Sequence, residues 1–499
     1  MFVTYPSPNS LALHSSPHPA VSQQESASDK AQHAAAQESK LKLTDLLEEV
    51  RKREHEGLFD NPESSASERA RGLYLRGRLL EAVGCGGGEA NKNATQILKK
   101  SNEAQTQSAE DMLKKAAKLD PSLDGAWVTL AQLLWKKGDL EGAQNCYAAV
   151  LRKKDILSNK VVHKKTLCQM SMLCRSLAKS FAKPGTEQQK KFVAESVMYA
   201  KAAVKLDLTD GYSWYQVGTA YMSAFFAQGA TDKSKLLQAL KAYDCAEKGG
   251  PLGDMNSGDL NGDKPKTNTP SSNCGISDHP DLHFNRAVVS RYVEHYSDAL
   301  NGFKRAQELD PDLPTQSEVD AVLSALGKLD DGCRGIGQAF KPKKLTGIKL
   351  ALKEECEGGD GVAYEKSTYT CTALDDLKEG LNATCALRVR VVLDATAGAS
   401  NGDNTDERAS TGALNLHYVV VDKRGNLAAV SVYGLEDGAV RLSSTVTLLN
   451  PDVRNVDVMW EGRHFSFKLI RVDLPKQILV GGKMPVGRIA RPRLATALT

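Results

Sequence analysis

Residues 125–143 read GAWVTLAQLLWKKGDLEGA, a spacing that is typical of two short helices packed against each other. The apolar side chains recur every three or four residues, as they do on one face of a helix. The stretch SWYQVGTAY, residues 213–221, repeats part of the pattern with Trp214, Gly218 and Tyr221. A pattern that recurs along a chain indicates a repeat architecture.

The second helix of the unit recurs as well. Two stretches place apolar or small residues at offsets of four and three, followed five residues later by proline: AEDMLKKAAKLDP, residues 109–121, and SDALNGFKRAQELDP, residues 297–311. These are positions of the tetratricopeptide repeat, a pair of antiparallel helices with a period of about 34 residues. Because one pair cannot bury its apolar stripe alone, several pairs must stack into a superhelix.

We predict an all-α superhelix of about five helix pairs within residues 39–331, closed by one further helix near residues 315–330. The pairs are expected near residues 67–121, 124–157, 158–209, 211–248 and 280–313. This array is the first of two folded regions.

Two stretches of the N-terminal half hold too few apolar residues to fold. Residues 1–38 are rich in Ser, Pro, Ala and Gln and predict a disordered tail, whereas residues 249–278 predict a disordered insertion. The aspartates of the insertion resemble those of a calcium loop. An EF-hand, however, needs glycine at its sixth position, where the insertion has Asp259, and glutamate at its twelfth. We therefore expect no metal there.

The hydrophobic pattern changes period after residue 331. LRVRVVL, LNLHYVVVD and GRHFSFKLIRV alternate apolar and polar residues, which is typical of strands. Five or six such strands predict a small β-barrel within residues 353–482, so that the fold class is α+β and multidomain. Aromatic side chains of these strands either form the core, which we favour, or stack on nucleic-acid bases. They are Tyr418, Tyr433, Trp460, Phe465 and Phe467.

Composition and motifs argue against an enzyme. The 499 residues carry 65 Lys and Arg against 61 Asp and Glu, so no strong net charge dictates a partner. No stretch approaches the roughly 18 apolar residues of a membrane span. The cysteines show no C-x-x-C spacing, and the histidines no H-E-x-x-H. GASNG, residues 398–402, matches a nucleophile elbow but lies in a polar loop. We predict no catalytic residue, no cofactor and no metal.

Two basic stretches adjoin the predicted barrel. Residues 332–352 are expected to form a basic linker, and residues 483–499 a basic tail. Clustered lysines and arginines bind nucleic-acid phosphates in a salt-sensitive manner. A linker and a tail that are merely solvated are the alternative.

Three stretches resemble the tetratricopeptide repeat protein 5 family, also called the Strap family: SWYQVGTAYMSAFFAQG, HPDLHFNRAVVSRYVEHYSDALNGFKRA and VVVDKRGNLAAVSVYGL. The resemblance runs in order from about residue 40 to residue 485. It implies that the C-terminal barrel has the oligonucleotide/oligosaccharide-binding (OB) fold. A repeat array fused to this barrel is a more specific signal than a repeat array alone.

The resemblance implies a non-enzymatic, protein-binding adaptor with one of two roles. In the first, a cytoplasmic sensor on the ribosome binds the Met-Arg-Glu start of nascent tubulins and triggers decay of tubulin mRNA through a decay adaptor. In the second, a nuclear scaffold joins an acetyltransferase to stress-responsive transcription factors. Both cytoplasmic and nuclear localisation are therefore expected. A third hypothesis, from the barrel itself, is direct binding of single-stranded nucleic acid.

The family's groove residues map onto two charged positions of this chain. The groove arginine lies in SMLCR and is Arg175, and the groove aspartate lies in PDLH and is Asp281. The family's acidic residue after the last repeat falls near Thr315, where this chain has no acid. An Arg and an Asp in one groove can pair with the Glu and the Arg of a short peptide. The alternative for Arg175 is an intramolecular salt bridge.

The family's ribosome-facing lysines correspond to Lys341, Lys343 and Lys344. We expect Pro342 to interrupt any helix there and to leave the lysines on a flexible strand that reaches ribosomal RNA phosphates.

Overall fold

The computed structural model describes the chain in several stretches, and the statements below concern these alone. They are residue 52 and residues 64–84, 109–153, 159–180, 186–230, 232–250, 275–336, 340–357, 369–396 and 415–485. The predicted N-terminal tail, most of the 249–278 insertion and nearly all of the basic C-terminal tail lie outside the described residues, and so does GASNG.

Twelve helices form the α-helical part of the described chain. They are α1 Ala66–Gly84, α2 Ala109–Leu119, α3 Asp124–Lys136, α4 Leu140–Leu151, α5 Lys160–Lys179, α6 Glu187–Leu206, α7 Gly211–Ala227, α8 Ser234–Lys248, α9 Pro280–Tyr292, α10 Tyr296–Leu309, α11 Thr315–Cys333 and α12 Pro342–Glu357. The first ten pack as consecutive antiparallel pairs, and α11 covers the last pair. The prediction of five pairs and a closing helix is confirmed.

Small residues set the distance between the helices of a pair. A Cβ atom at Gly218 of α7 would lie 2.5 Å from a ring carbon of Tyr243 on α8, so this position cannot hold a larger residue without displacing the ring. Ala143 and Ala299, on the second helices of two other pairs, are fully buried. Close packing of this kind fixes the curvature of the array, and with it the position of its inner surface.

Nine strands form one curled sheet, consistent with a half-barrel of the OB type. They are β1 Thr370–Thr372, β2 Gly380–Leu381, β3 Cys385–Asp394, β4 Asn415–Asp422, β5 Leu427–Tyr433, β6 Thr445–Leu449, β7 Asp452–Trp460, β8 Arg463–Val472 and β9 Ile478–Val480. Their order is β2-β7-β8-β5-β4-β3-β6-β9, with β1 beside β3. The long strand β3 pairs with β4 and β6, and a register shift between Val391 and Leu393 bends it. The six alternating strands were predicted; the short strands β1, β2 and β9 were not.

The aromatic side chains of the strands form the core. Tyr418, Tyr433, Phe465 and Phe467 are buried, whereas Trp460 is half-buried beneath the Lys304 ammonium, which lies 6.0 Å from its ring centre. Because a buried ring presents no face to a base, these four residues cannot stack on nucleic acid. The base-stacking alternative is wrong for them.

Helix α12 begins inside the stretch that we expected to be a linker. Pro342 occupies its first position, where the fixed φ of proline suits a helix. A backbone N–H at this position has no acceptor within the helix, so its absence in proline breaks no hydrogen bond. Near the end of this helix, the Glu355 carboxylate pairs with Arg390 at 2.8 Å and with Arg388 at 3.5 Å, both on β3. The expectation that residues 332–352 form a linker is therefore wrong at its start, where α11 runs to Cys333, and again from Pro342 onward.

The repeats and the sheet share one hydrophobic core. Phe303 of α10 and Leu326 of α11 belong to the same buried cluster as Val419 of β4 and Phe465 of β8. A Cβ atom at Gly332 would lie 2.6 Å from a methyl carbon of Val419, so α11 lies directly on the sheet.

A buried ion network also joins the two regions. Glu294, immediately after α9, is fully buried and lies 3.2 Å from the Arg471 guanidinium of β8 and 3.5 Å from that of Arg454 on β7. Tyr433 donates a hydrogen bond of 3.0 Å to the same carboxylate, and Ser431 donates another. The repeats and the sheet are therefore held together by apolar packing and by charge.

Candidate functional site

A cleft opens on the inner surface of the repeat array. It encloses about 590 Å³, part of it open to solvent. Its lining side chains come from α3 (Trp135), from α5 (Met172, Arg175, Ser176, Lys179), from α7 (Tyr212, Tyr215, Gln216, Thr219, Ser223) and from the start of α9 (His279, Asp281). Arg175 and Asp281, which the family resemblance implies to share one groove, line the same cleft.

Arg175 lines the cleft on α5 and is only 8% exposed. Its Nη1 donates to the hydroxyls of Ser171 at 3.0 Å and Ser196 at 3.3 Å. Its Nη2 donates to the side-chain oxygen of Gln216 at 2.7 Å. All three acceptors are neutral.

The positive charge of Arg175 has no counter-charge in the described part of the chain, where no carboxylate lies within 4.0 Å of its guanidinium. Burial lowers the pKa of Arg175, yet a guanidinium stays protonated in proteins. Among the described residues, Arg175 therefore forms no intramolecular salt bridge, and that alternative is wrong there. A guanidinium carries pairs of parallel N–H groups, and such a pair matches the two oxygens of one carboxylate.

Asp281 lies across the cleft in the first turn of α9, where Pro280 starts the helix. Its carboxylate is 33% exposed and lies 3.9 Å from Nδ1 of His279. Burial raises the pKa of Asp281, and the nearby Asp310 adds to this, although His279 acts in the opposite direction. A carboxylate in this position favours a cationic ligand group, which would restore its ordinary ionisation.

Lys179 is a charged residue of the cleft that the sequence analysis did not identify. It lies one helical turn after Arg175 on the same face of α5 and is half-buried. Burial, followed by the charge of Arg175, lowers the pKa of Lys179. The i,i+4 spacing from Arg175 was the available signal, because residues four apart on a helix share a face.

The three predicted ribosome-facing lysines lie away from the cleft. Lys341 immediately precedes α12, and Lys343 and Lys344 lie in its first turn; all three are exposed. The expectation of a flexible strand at Lys343 and Lys344 is wrong because Pro342 starts a helix there. Thr315 is fully buried at the start of α11 and does not line the cleft.

The described residues contain no cluster of three His, Cys, Asp or Glu side chains that could hold a metal ion. In the same part of the chain, no helix combines the length and the apolar character that crossing a bilayer requires.

Comparisons with known proteins agree with both halves of the chain. The family model described as the tetratricopeptide repeat protein 5 OB fold domain matches residues 368–491, and the tetratricopeptide repeat model matches residues 103–155. The mouse protein named tetratricopeptide repeat protein 5 is 32% identical over 383 residues, which cover 75% of this chain and 76% of the relative.

The human protein of the same name is 31% identical over 384 residues, with the same coverage of both chains. A crystal structure of a thermophilic tetratricopeptide-repeat protein from Thermus thermophilus covers 51% of this chain and 98% of its own, at 16% identity and a TM-score of 0.30. A structural similarity at this level adds nothing to the assignment, which rests on the family models and the relatives. On these grounds, the chain belongs to the tetratricopeptide repeat protein 5 family.

Proposed function

We propose that this protein is a non-enzymatic adaptor that binds the Met-Arg-Glu start of nascent tubulins on the ribosome and thereby triggers decay of tubulin mRNA through a decay adaptor. Membership of the family supports the adaptor role, because tetratricopeptide repeats form extended concave surfaces for binding. The tubulin ligand comes from the resemblance described above, and the chemistry of the cleft is compatible with it.

The observation that carries the proposal is the pair of opposite charges on opposite sides of one cleft. Arg175 lies on α5 and Asp281 on α9, with α7 between them. Successive side chains of an extended peptide point to opposite sides. An Arg-Glu dipeptide over α7 therefore directs its guanidinium to Asp281 and its carboxylate to Arg175.

The start of the peptide has an apolar contact in the same cleft. The Tyr212 hydroxyl contacts the sulfur of Met172 at 3.5 Å, and Trp135 also lines the cleft. A methionine side chain of the ligand would pack on these groups, since thioethers pack favourably on aromatic rings.

We assign ribosome docking to Lys341, Lys343 and Lys344. All three are exposed, and two of them lie at the N-terminal end of a helix, where the helix dipole adds positive potential. Ribosomal RNA supplies phosphates that such a cluster binds without reading sequence.

The test is ribosome pull-down with the full chain from a translating extract. Ribosomes carrying a tubulin nascent chain that begins Met-Arg-Glu should be enriched over ribosomes carrying the same chain begun Met-Glu-Arg, which has equal composition and charge. Equal recovery of the two would refute the proposed ligand.

Cell fractionation addresses the alternative role in the nucleus. The ribosomal role requires cytoplasmic protein that sediments with polysomes. A chain that is wholly nuclear and absent from polysomes would instead favour the scaffold for an acetyltransferase and transcription factors.

A further inference from the structure

Strand β7 lies at an edge of the sheet along most of its length. On one side β8 pairs with all of its residues, whereas on the other side β2 pairs only with Asp452 and Val453. Beyond Val453, no other strand of the described chain lies beside that edge. Edge strands carry unpaired N–H and C=O groups, which can pair with an extended segment of another chain.

The register of β7 and β8 shows which backbone groups face outward. In an antiparallel pair, only every second residue bonds to the neighbouring strand. On β8, the N–H of Ser466 donates to Asp330 of α11 at 3.0 Å, and the C=O of His464 accepts from an arginine just after α11 at 3.3 Å. These two β8 residues therefore face away from β7. Their partners in the register, Asp457 and Met459, accordingly face away from β8.

The outward groups of the two strands differ in their partners. Those of Ser466 and His464 are bonded by side chains, whereas the backbone N–H and C=O of Asp457 and Met459 have no partner in the described part of the chain. The Asp457 side chain is 75% exposed and Met459 is 64% exposed, so the described residues leave both uncovered. We call residues 455–459 the open edge.

Acidic side chains lie along the open edge. Asp457 lies at its centre and accepts a hydrogen bond from His464 through one carboxylate oxygen, at 2.7 Å. Glu379 accepts a hydrogen bond of 3.1 Å from the side chain of Asn455 at one end. An antiparallel pairing of two copies, centred on this edge, would place Asp457 opposite the same residue of the second copy. Because like charges directly opposite each other destabilise a sheet, the charge of the edge favours a basic partner over a second copy.

We propose that the open edge binds an extended segment of a partner protein, which adds a strand to the sheet with a lysine or arginine opposite Asp457. The added strand runs antiparallel to β7, the more stable of the two pairings. Apolar residues alternate with the basic ones, because Val456 and Val458 of β7 face the core shared with α10. The proposal goes beyond the proposed function and holds whichever peptide the cleft binds.

Binding of a labelled, acetylated and amidated peptide, Val-Val-Lys-Val-Lys, to the full chain tests the backbone pairing. With its third residue opposite Asp457, that residue exchanges both backbone hydrogen bonds with β7, whereas the N–H of the fourth points away. Fluorescence anisotropy should show that N-methylation of the third residue abolishes binding and that N-methylation of the fourth does not. Equal effects of the two methyl groups, or no binding of the unmodified peptide, would overturn the proposal.

Charge reversal tests the recognition of side chains. Val-Val-Glu-Val-Glu should bind the unmodified chain about fivefold more weakly than the lysine peptide, a comparison that does not depend on the folding of any variant. Asp457→Lys should reverse this preference. The control Glu141→Lys, at an exposed acid of α4, should keep it. If the unmodified chain binds both peptides equally, the assignment of a basic partner is wrong.

Hydrogen exchange of the chain without peptide tests the other possible occupants. The amides of Asp457 and Met459 should exchange rapidly. Those of Val456 and Val458, which bond to β8, should exchange slowly. Protection of all four in the monomer would mean that another segment of the same chain occupies the edge. Protection that rises with protein concentration would mean that a second copy does, and either result would refute the proposed partner.

Discussion

Arg175 holds a buried positive charge among the oxygens of Ser171, Ser196 and Gln216. Three of its five N–H groups are engaged by these neutral partners, which fixes the plane of the guanidinium before any ligand arrives. Orientation that is set in advance lowers the entropic cost of binding. The residue is therefore both part of the folded core and the binding group of the cleft.

Replacing Arg175 with lysine separates charge from geometry. Arg175→Lys keeps the positive charge but loses the planar edge that takes two carboxylate oxygens, so the Met-Arg-Glu peptide should bind about tenfold more weakly. Isothermal titration calorimetry measures the affinity. The matched control is Arg152→Lys, at an exposed arginine just after α4, which should bind as the unmodified chain does. Unchanged binding by Arg175→Lys would show that only its charge matters.

The pKa of Asp281, which burial raises, makes ligand binding depend on pH. The carboxylate must be ionised to pair with a ligand guanidinium. As the pH falls towards the raised pKa, a growing fraction of the carboxylate is protonated and must lose its proton before the ligand binds, so the affinity falls. We expect the Met-Arg-Glu peptide to bind more weakly at about pH 5 than at about pH 7.5.

One variant tests whether Asp281 is the source of the pH dependence. Asp281→Asn should bind the peptide weakly at both pH values. An affinity that rises on acidification would contradict the assignment of Asp281.

At the scale of elements, α12 has an unusual distribution of charge. Its first turn carries Lys343 and Lys344 and no acid, although the positive end of a helix dipole favours carboxylates. Replacing Lys341, Lys343 and Lys344 with glutamate should therefore leave the melting temperature unchanged or raise it. The same variant should lose salt-sensitive sedimentation with ribosomes, while Met-Arg-Glu binding in the distant cleft remains intact.

The control for this variant changes the net charge equally at another site. Lys115, Lys118 and Lys205 are exposed on α2 and α6, and their replacement with glutamate should leave sedimentation with ribosomes unchanged. Equal losses in both triple variants would mean that overall charge, and not α12, determines ribosome association.

Periodicity explains which elements the sequence could predict. Helix pairs such as α3 and α4, and strands such as β8, carry apolar residues at the spacing of their element, so the sequence alone predicts them. Helix α12 was missed because proline was taken as a helix breaker at a position where it starts the helix. Strand β2 has only two residues, and so short a run has no period to detect.

The candidate site was only partly predictable for a different reason. The resemblance to the family identified Arg175 and Asp281, but their burial and partners depend on residues far apart in the chain, such as Ser196 and Gln216. Ser171, one turn before Arg175 in SMLCR, is a local acceptor, but nothing in the motif indicates the other two neutral oxygens. The contact between the repeats and the sheet likewise joins residues far apart in the chain, so no local sequence signal indicates it.

At the scale of the whole molecule, Glu294 shows how strongly the two regions are tied together. Its φ of +67° lies in the left-handed region, which the equivalent positions after α3 and α7 fill with Gly138 and Gly229. A non-glycine residue there costs about 1 kcal/mol or more. Because the Glu294 carboxylate is the charge partner of Arg454 and Arg471, the interface offsets this local strain.

Neutralising Glu294 should destabilise the repeats and the sheet together. Glu294→Gln leaves Arg454 and Arg471 without this counter-charge and should lower the free energy of unfolding by about 3 kcal/mol. Chemical denaturation followed by circular dichroism measures it and should show a single transition for helices and strands. The control Glu308→Gln breaks an exposed pair with Arg305 and should cost less than about 1 kcal/mol. Two separate transitions in the unmodified chain would contradict the shared core.

The contact of α11 with the sheet also predicts how truncating mutations would affect the protein. Repeat arrays need a terminal unit with a polar outer face to remain in solution. In this chain, the outer face of α11 includes Gly332, which meets Val419, so the sheet itself covers the end of the array. A frameshift or a premature stop between residue 340 and the first strand at Thr370 would remove the sheet and uncover that face. The truncated product would then aggregate. Such alleles would abolish every activity of the gene at once, including those that reside wholly in the repeats.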